Sequence, residues 1–334
     1  MTDTVWWNRP EPLFLSGEWI RAFQDYSVIL RPDRCEPGWW AGAPSVVRDE
    51  AGTFWLACRM RTGEGERGFR GYALRILRSH DGVHFETVHE ITREAAGVPG
   101  FERPCLVRDP RRNAWRLYAC TPWERGAWAI VAFEDAPHPS AIRADSVRLV
   151  LRAPEKREAF DTPPEGFKDP VITFACGRYH LFAIGYTRAN ERVFHFTSED
   201  GNAWQPVGHP YQPIMDLCGW HDFFVRPASV LPLGIGWFFV YEGSSTTWYD
   251  PVYNIATGIA FTWNLHTVID LTPQAPLLTS ATPDARFGVF RYSSWVRVGE
   301  ILHVYAEESH PDGTHELRLH QVPLEPSRRL PVIP

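Results

Sequence analysis

The sequence predicts an all-β chain folded as a five-bladed propeller, with four-stranded antiparallel blades around a central channel. Two observations predict it: one hairpin pattern is written five times, and no stretch sustains a helical period. The clearest copy spans 167–186. Residues 171–175 and 179–184 are rich in β-branched and aromatic side chains, and Cys176-Gly177-Arg178 supplies a glycine for the turn between them. Lys168 and Asp169 stand at the mouth of the first strand. Pro170 follows, tolerated there because the first residue of a strand need not donate to the ladder.

The other copies open at Ala43-Pro44, Arg103-Pro104 and Arg226-Pro227, and a fifth keeps the hairpin with Ser293 where the proline stood. These anchors lie 57 to 66 residues apart, too long for a helical repeat and suited to a four-stranded blade with an elaborated loop. Residues 1–38 precede the first repeat. A strand within 17–30 is expected to pair with 316–322 and close the ring, since an open ring would leave two exposed ladders.

Blade one covers about 39–88 and ends its third strand in Ser79-His80-Asp81-Gly82-Val83-His84-Phe85. The motif recurs in blade three as Ser198-Glu199-Asp200-Gly201-Asn202-Ala203-Trp204, where Asp and Gly make the turn and the aromatic tucks under the blade. Blade two carries strands near 115–120 and 128–133, followed by a proline-rich loop at 136–140. Blade four has a long connection at 243–253. Helix is confined to short turns such as 92–96.

A chain of 334 residues with 44% hydrophobic and 14% aromatic residues can bury a large core, and the repeats make 1–334 one domain. A net charge of −6 argues against nucleic acid or an anionic membrane as partner. No apolar run approaches the roughly 18 residues of a membrane span. The N-terminal stretch has no basic start and no apolar core, so a cytoplasmic location is expected. The six cysteines read as small buried hydrophobes in a reducing compartment. No CxxC pair suggests zinc or redox chemistry, so neither metal nor cofactor is expected, and no oligomer interface is readable.

Topology turns the repeat into a site. The chain runs into every innermost strand from the same face, so Gly42-Ala43, Glu102-Arg103, Lys168-Asp169, Val225-Arg226 and Arg291-Tyr292 converge. Buried charges need partners, which leaves two readings: a ring of ion pairs, or a polar pocket that binds sugar hydroxyls and does acid/base chemistry. On the second, Asp169 is the essential carboxylate, and Glu102 and Glu242 compete for the other catalytic role. Arg103, Lys168, His221, Asp222, Arg226 and Tyr292 orient substrate, with Trp40 and Trp220 as stacking platforms outside the strands.

These residues resemble the five-bladed propeller glycosidases of glycoside hydrolase families 32, 43, 68 and 130. The likeness is greatest to family 130, the mannoside phosphorylases and related hydrolases, over about 42–309. GFERPCLV resembles that family's E-D-P-R strand start and FKDPVITF its K-D-A/P start. Gly236 to Gly243, with Tyr253, Gly258-Ile259-Ala260 and Ala275-Pro276-Leu277-Leu278, resembles its blade-four segment. Three positions depart. Arg103 replaces the family's acid, Cys105 the following Arg, and Glu242 a His. Against family 43, Ala43-Pro44 and Val225-Arg226-Pro227 stand where carboxylates are expected, leaving Asp169-Pro170 in register.

The resemblance implies a glycoside hydrolase acting on a small glycoside or oligosaccharide. The alternatives are a family 130 type phosphorylase, a non-catalytic carbohydrate-binding propeller, or an enzyme using the funnel for an anionic small molecule. Arg103 cannot give up a proton at neutral pH, so another group must donate. Glu242, after the apolar stretch 237–241, is the candidate because burial raises a carboxyl pKa. An inverting pair would stand about 6.5–9.5 Å apart.

Overall fold

The computed structural model describes residues 22–154, 164–187, 190–208 and 212–324. Strand β1 (Ser27–Leu30) is followed by β2 (Trp40–Arg48), β3 (Phe54–Arg61), β4 (Gly71–Ser79) and β5 (Glu86–Thr92), and then by the one-turn helix α1 (Arg93–Ala96). Next come β6 (Cys105–Asp109), β7 (Ala114–Pro122), β8 (Trp128–Ala132) and β9 (Arg148–Leu151). A third group holds β10 (Phe167–Ala175), β11 (Arg178–Thr187), β12 (Asn190–Ser198) and β13 (Gln205–Pro206). The fourth holds β14 (Phe224–Pro232), β15 (Trp237–Ser244), β16 (Ala256–Thr262) and β17 (Val268–Asp270), before β18 (Phe290–Val298), β19 (Ile301–Ser309) and β20 (His315–Pro323).

Strands β6–β9, β10–β13 and β14–β17 each form a four-stranded antiparallel sheet. The remaining strands run in the order β18-β19-β20-β2-β3-β4-β5, with β1 antiparallel to β20 through Ser27 and Leu319. A single parallel pairing, Trp40 with His315, joins the two halves of that run. The N-terminal segment therefore pairs with the last strand through 27–30, while 17–21 lies outside the described residues. Trp40 belongs to β2 rather than to a loop, which corrects the sequence reading.

The first strands of adjacent hairpins are sewn together. Ser45 Oγ accepts the Leu106 N–H at 2.9 Å, Cys105 Sγ that of Ile172 at 3.3 Å, Ser229 Oγ that of Trp295 at 3.2 Å and Ser294 Oγ that of Val46 at 3.1 Å. These small polar side chains satisfy strand N–H groups that have no ladder partner on that side. Between β10 and β14 the contact is apolar instead: Val171 of β10 and Val225 of β14 share one cluster with Phe182, Phe239 and Tyr241 of the adjoining strands. Because side chains alternate along β15, Tyr241 faces this cluster while Val240 packs toward Phe290 and Trp295.

Both Asp-Gly turns form as read. Ser79 Oγ accepts the Gly82 N–H and Asp81 Oδ1 those of Val83 and His84; Ser198 and Asp200 repeat the pattern on Gly201, Asn202 and Ala203. Each turn then accepts a tyrosine from another hairpin, Tyr305 O–H on Gly82 at 2.7 Å and Tyr118 O–H on Gly201 at 2.8 Å. Helix α1 begins at Thr92, whose Oγ1 accepts the Ala95 N–H, and stops at left-handed Gly97. The cysteines are only half as expected: all six are free thiols, with Cys58, Cys105 and Cys120 buried and Cys35, Cys176 and Cys218 exposed.

Where β2, β10 and β18 begin, Ala43, Asp169 and Tyr292 adopt φ of 52°, 53° and 55°, a left-handed conformation unusual for non-glycine residues. The ladder shifts register at each of these points. Beside the first, a Cβ on Gly42 would lie 2.1 Å from Glu307 Oε2 and 2.4 Å from its Cγ. Glu307 cannot move aside without leaving its buried cations. Gly42→Ala is expected to cost about 1–3 kcal/mol of stability, read from the denaturant midpoint. A loss under about 0.5 kcal/mol would mean that the Glu307 side chain has room to relocate.

Candidate active site

The three left-handed residues turn their N–H groups toward side chains of β19, β7 and β15, in each case the second strand of another hairpin. Ala43 N–H donates to Glu307 Oε2 at 3.0 Å, Asp169 N–H to Cys120 Sγ at 3.1 Å, and Tyr292 N–H to Glu242 Oε1. Strand register explains the correspondence, because Arg226 pairs with Glu242 and Arg291 with Glu307. Glu242 and Glu307 are thus the same position in two hairpins. Glu307, with Arg59, was not singled out in the sequence; aligning YEGS with YAEES would have found it, since the same spacing separates Arg226 from Glu242 and Arg291 from Glu307.

The two glutamates differ in what surrounds them. Glu307 accepts from Arg291 Nε at 2.9 Å, Arg59 Nη2 at 3.1 Å and His315 Nδ1 at 2.7 Å. Burial alone would raise its pKa, but Arg291 and Arg59 outweigh burial and hold it well below the usual carboxylate range. Glu242 is also fully buried, and its Oε2 has no hydrogen-bond partner among the described residues. Desolvation pushes its pKa up to about 7, with Arg103, Arg226, Arg291 and the Tyr292 N–H only partly opposing it.

Asp169 is buried within the same cluster. Its Oδ1 accepts from Arg103 N–H and Cys120 S–H, each at 3.3 Å, and its Oδ2 from the Tyr292 O–H at 3.3 Å. Tyr292 thereby bridges both carboxyls, holding Glu242 by its backbone and Asp169 by its ring hydroxyl. Arg59, Arg103 and Arg291 stand 5.0–5.6 Å from the centre of that ring.

The remaining charges are paired. Lys168 Nζ lies 2.7 Å from Glu191, which Arg226 also binds. Burial would raise Glu191, but Arg226 and Lys168 bring it down to about 2. Glu191, on the third strand β12, carries no motif that sequence reading could use. Glu102 pairs with Arg59 and, at 3.6 Å, with Arg61. Glu102, Arg61 and Lys168 keep 12–13% of their side-chain surface exposed and form the accessible rim of this group.

Arg103 serves Asp169 through its backbone N–H, while its guanidinium is turned to other partners. Its guanidinium donates to the carbonyls of Pro227, at 2.7 Å, and Ala228, tying the start of β6 to β14. Beyond it opens a cavity of about 510 Å³ lined by Arg103, Cys105 and the stitching serines Ser45, Ser229 and Ser294, with neither Asp169 nor Glu242 in its lining.

The sequence candidates therefore divide. Glu102, Arg103, Lys168, Asp169, Arg226, Glu242 and Tyr292 come together. Trp40 lies beside them, but its ring is fully buried, stacked on His315 at 4.0 Å with Arg61 and Arg291 over it. Trp220, His221 and Asp222 lie on the other side of β15. A Cβ on Gly243 would meet Trp220 and His221, and Gly243 points opposite to Glu242 along the strand. Trp220 stacks between Tyr241 and Trp248, His221 bonds Asp270 at 2.9 Å, and Asp222 caps Thr246.

This arrangement of sheets is shared with solved glycoside hydrolase and phosphorylase structures. The chain superimposes on a β-1,2-mannobiose phosphorylase from Listeria innocua in complex with β-1,2-mannobiose, with a TM-score of 0.60 at 14% identity over 95% of this chain and 94% of that one. A glycosyl hydrolase from Bacteroides ovatus gives 0.63 at 14% identity over 95% and 100%. A thermostable family-43 glycoside hydrolase gives 0.59 at 14% over 87% and 92%. At such identities the likeness establishes the fold. No protein-family model matches the chain, and no curated sequence matches it.

The displaced pKa of Glu242 has a sign that can be tested. A carboxyl raised from 4.5 to about 7 stabilises the fold fully below pH 4.5, and that contribution is lost as pH rises through 7. Glu242→Gln keeps an oxygen for the Tyr292 N–H and stays neutral. It should match the parent at acid pH and become more stable by about 3 kcal/mol above pH 7. Parallel stability curves across pH 4–8 would show that Glu242 titrates normally.

Proposed function

We propose that the sheets form one five-bladed ring, in which β18–β20 with β1 and β2–β5 are separate blades, and that the protein is a glycoside hydrolase acting on a small glycoside or oligosaccharide. The fold shared with carbohydrate-active enzymes supports the class. The observation that carries the reading is the Tyr292 bridge, which holds a carboxyl displaced to about 7 beside one used as an acceptor by three donors. Glu242 is neutral over much of the working range and donates its proton to the leaving glycosidic oxygen. Asp169 is the carboxylate that activates the attacking water. Lys168, Arg226 and Arg291 surround the reacting centre with positive charge, and substrate reaches it past Glu102, Arg61 and Lys168.

A second reading is favoured by one observation: Glu242 occupies the position of Glu307, whose carboxylate only caps an N–H and neutralises cations. Glu242 would then be a capping group in a carbohydrate-binding propeller. The phosphorylase among the similar structures makes phosphate the alternative nucleophile.

Asp169→Asn is expected to abolish turnover on oligosaccharide and aryl glycoside panels. Glu242→Gln should slow ordinary glycosides by about 100-fold or more while sparing activated aryl glycosides, which scarcely need protonation. Product analysis with and without phosphate separates hydrolysis from phosphorolysis. If no glycoside turns over while a sugar still raises the melting temperature, the binding reading replaces the catalytic one.

A further inference from the structure

Outside the candidate active site, Cys218, His221 and Asp270 bring a thiol, an imidazole and a carboxylate together, with their ligand atoms all within 4.8 Å of one another. His221 Nε2 lies 2.9 Å from Asp270 Oδ2 and 3.7 Å from Cys218 Sγ. Ligand atoms on a tetrahedral zinc ion, at about 2.0 Å for N and O and about 2.3 Å for S, stand roughly 3.3–3.6 Å apart. Adjustments of a few tenths of an ångström would bring His221 into that relation with both partners. We propose that Cys218, His221 and Asp270 form a three-ligand zinc site on the outer side of the β14–β17 sheet, independent of the glycosidase reading.

The backbone holds these groups in place without the ion. Cys218-Gly219-Trp220-His221 is a single turn closed by His221 N–H on Cys218 C=O at 3.0 Å, which puts thiol and imidazole on one side. Gly219 is left-handed, and a Cβ there would lie 2.2 Å from the Pro273 carbonyl, so the turn is pressed against the segment that follows β17. Trp220 Nε1 fixes the same junction by donating to Thr272 C=O at 2.6 Å.

The outer shell of Asp270 is also provided. Asp270 Oδ1 accepts from Tyr241 O–H at 2.8 Å and Thr272 N–H at 2.9 Å, which leaves Oδ2 to face His221. The His221 ring is fully buried, edge-on to Trp220 and Tyr241, with Nδ1 lacking a hydrogen-bond partner among the described residues. Coordination through Nε2 places the ring proton on Nδ1 and turns Cys218 into a thiolate, its proton going to solvent. Cys218 is exposed and lines a surface pocket of about 500 Å³ with Trp220, Asp222 and Trp248, so the fourth coordination position opens there. The mixed S, N, O set suits zinc over magnesium or calcium.

The test uses the full chain, stripped with chelator and titrated with zinc alone and, separately, with Co²⁺. One zinc per chain is expected, with a higher melting temperature that chelator reverses. Bound Co²⁺ should give a thiolate charge-transfer band that Cys218→Ser removes and Cys176→Ser, at an exposed cysteine elsewhere, retains. Tyr241→Phe, which strips one outer-shell bond from Asp270, should weaken binding about 10-fold while leaving the circular dichroism unchanged. Substoichiometric zinc, or Cys218→Ser binding zinc as tightly as the parent, overturns the site. Because Cys218→Ser and Tyr241→Phe disturb different parts of it, misfolding of either leaves the other decisive.

Discussion

The site depends on one backbone device, a left-handed residue at the start of a first strand whose N–H is capped by the second strand of an adjacent hairpin. At Ala43, Asp169 and Tyr292 the chain accepts a conformation that costs of order 1 kcal/mol and gains a buried N–H aimed between sheets. Each such N–H must be satisfied, and the second strands answer with Glu307, Cys120 and Glu242. Two buried carboxyls follow from that need before any catalytic purpose is considered.

What separates them is the number of cations each can reach. Glu307 has Arg291 and Arg59 in direct contact and a hydrogen bond from His315, so its charge is fully compensated. Glu242 sits in register with Arg226, yet that guanidinium is turned to Glu191, and Arg103 is spent on the carbonyls of Pro227 and Ala228. Long-range attraction from these arginines only partly offsets desolvation. A carboxyl pushed up to about 7 in the midst of a cationic cluster is the outcome. The same competition leaves Arg103 as a strut between β6 and β14 that lends its N–H to Asp169.

Much of the fold was legible because its determinants are local. The hairpins announce themselves by β-branched and aromatic runs around Gly and Pro, and the Ser-x-Asp-Gly turns carry their hydrogen-bonding groups within seven residues. Which residues gather at the strand mouths was also legible, since a repeat that starts every first strand from one face forces Glu102, Arg103, Lys168, Asp169, Arg226 and Tyr292 together. The apolar stretch before Glu242 foretold its burial.

Tertiary structure decided what those residues bind. Glu191 takes both Lys168 and Arg226, and nothing local to a third strand marks it for that. His221 and Trp220, close to the funnel residues in sequence, fall on the opposite face of β15, where Asp270, 49 residues from His221, is the imidazole's partner and the Thr272 carbonyl that of the indole. The sequence by itself determined strands, turns and the convergence of charge, because these follow from periodicity and repetition. Pairing among the charges depends on which side chains meet across sheets, and only the packed fold brings those distant segments within hydrogen-bonding reach.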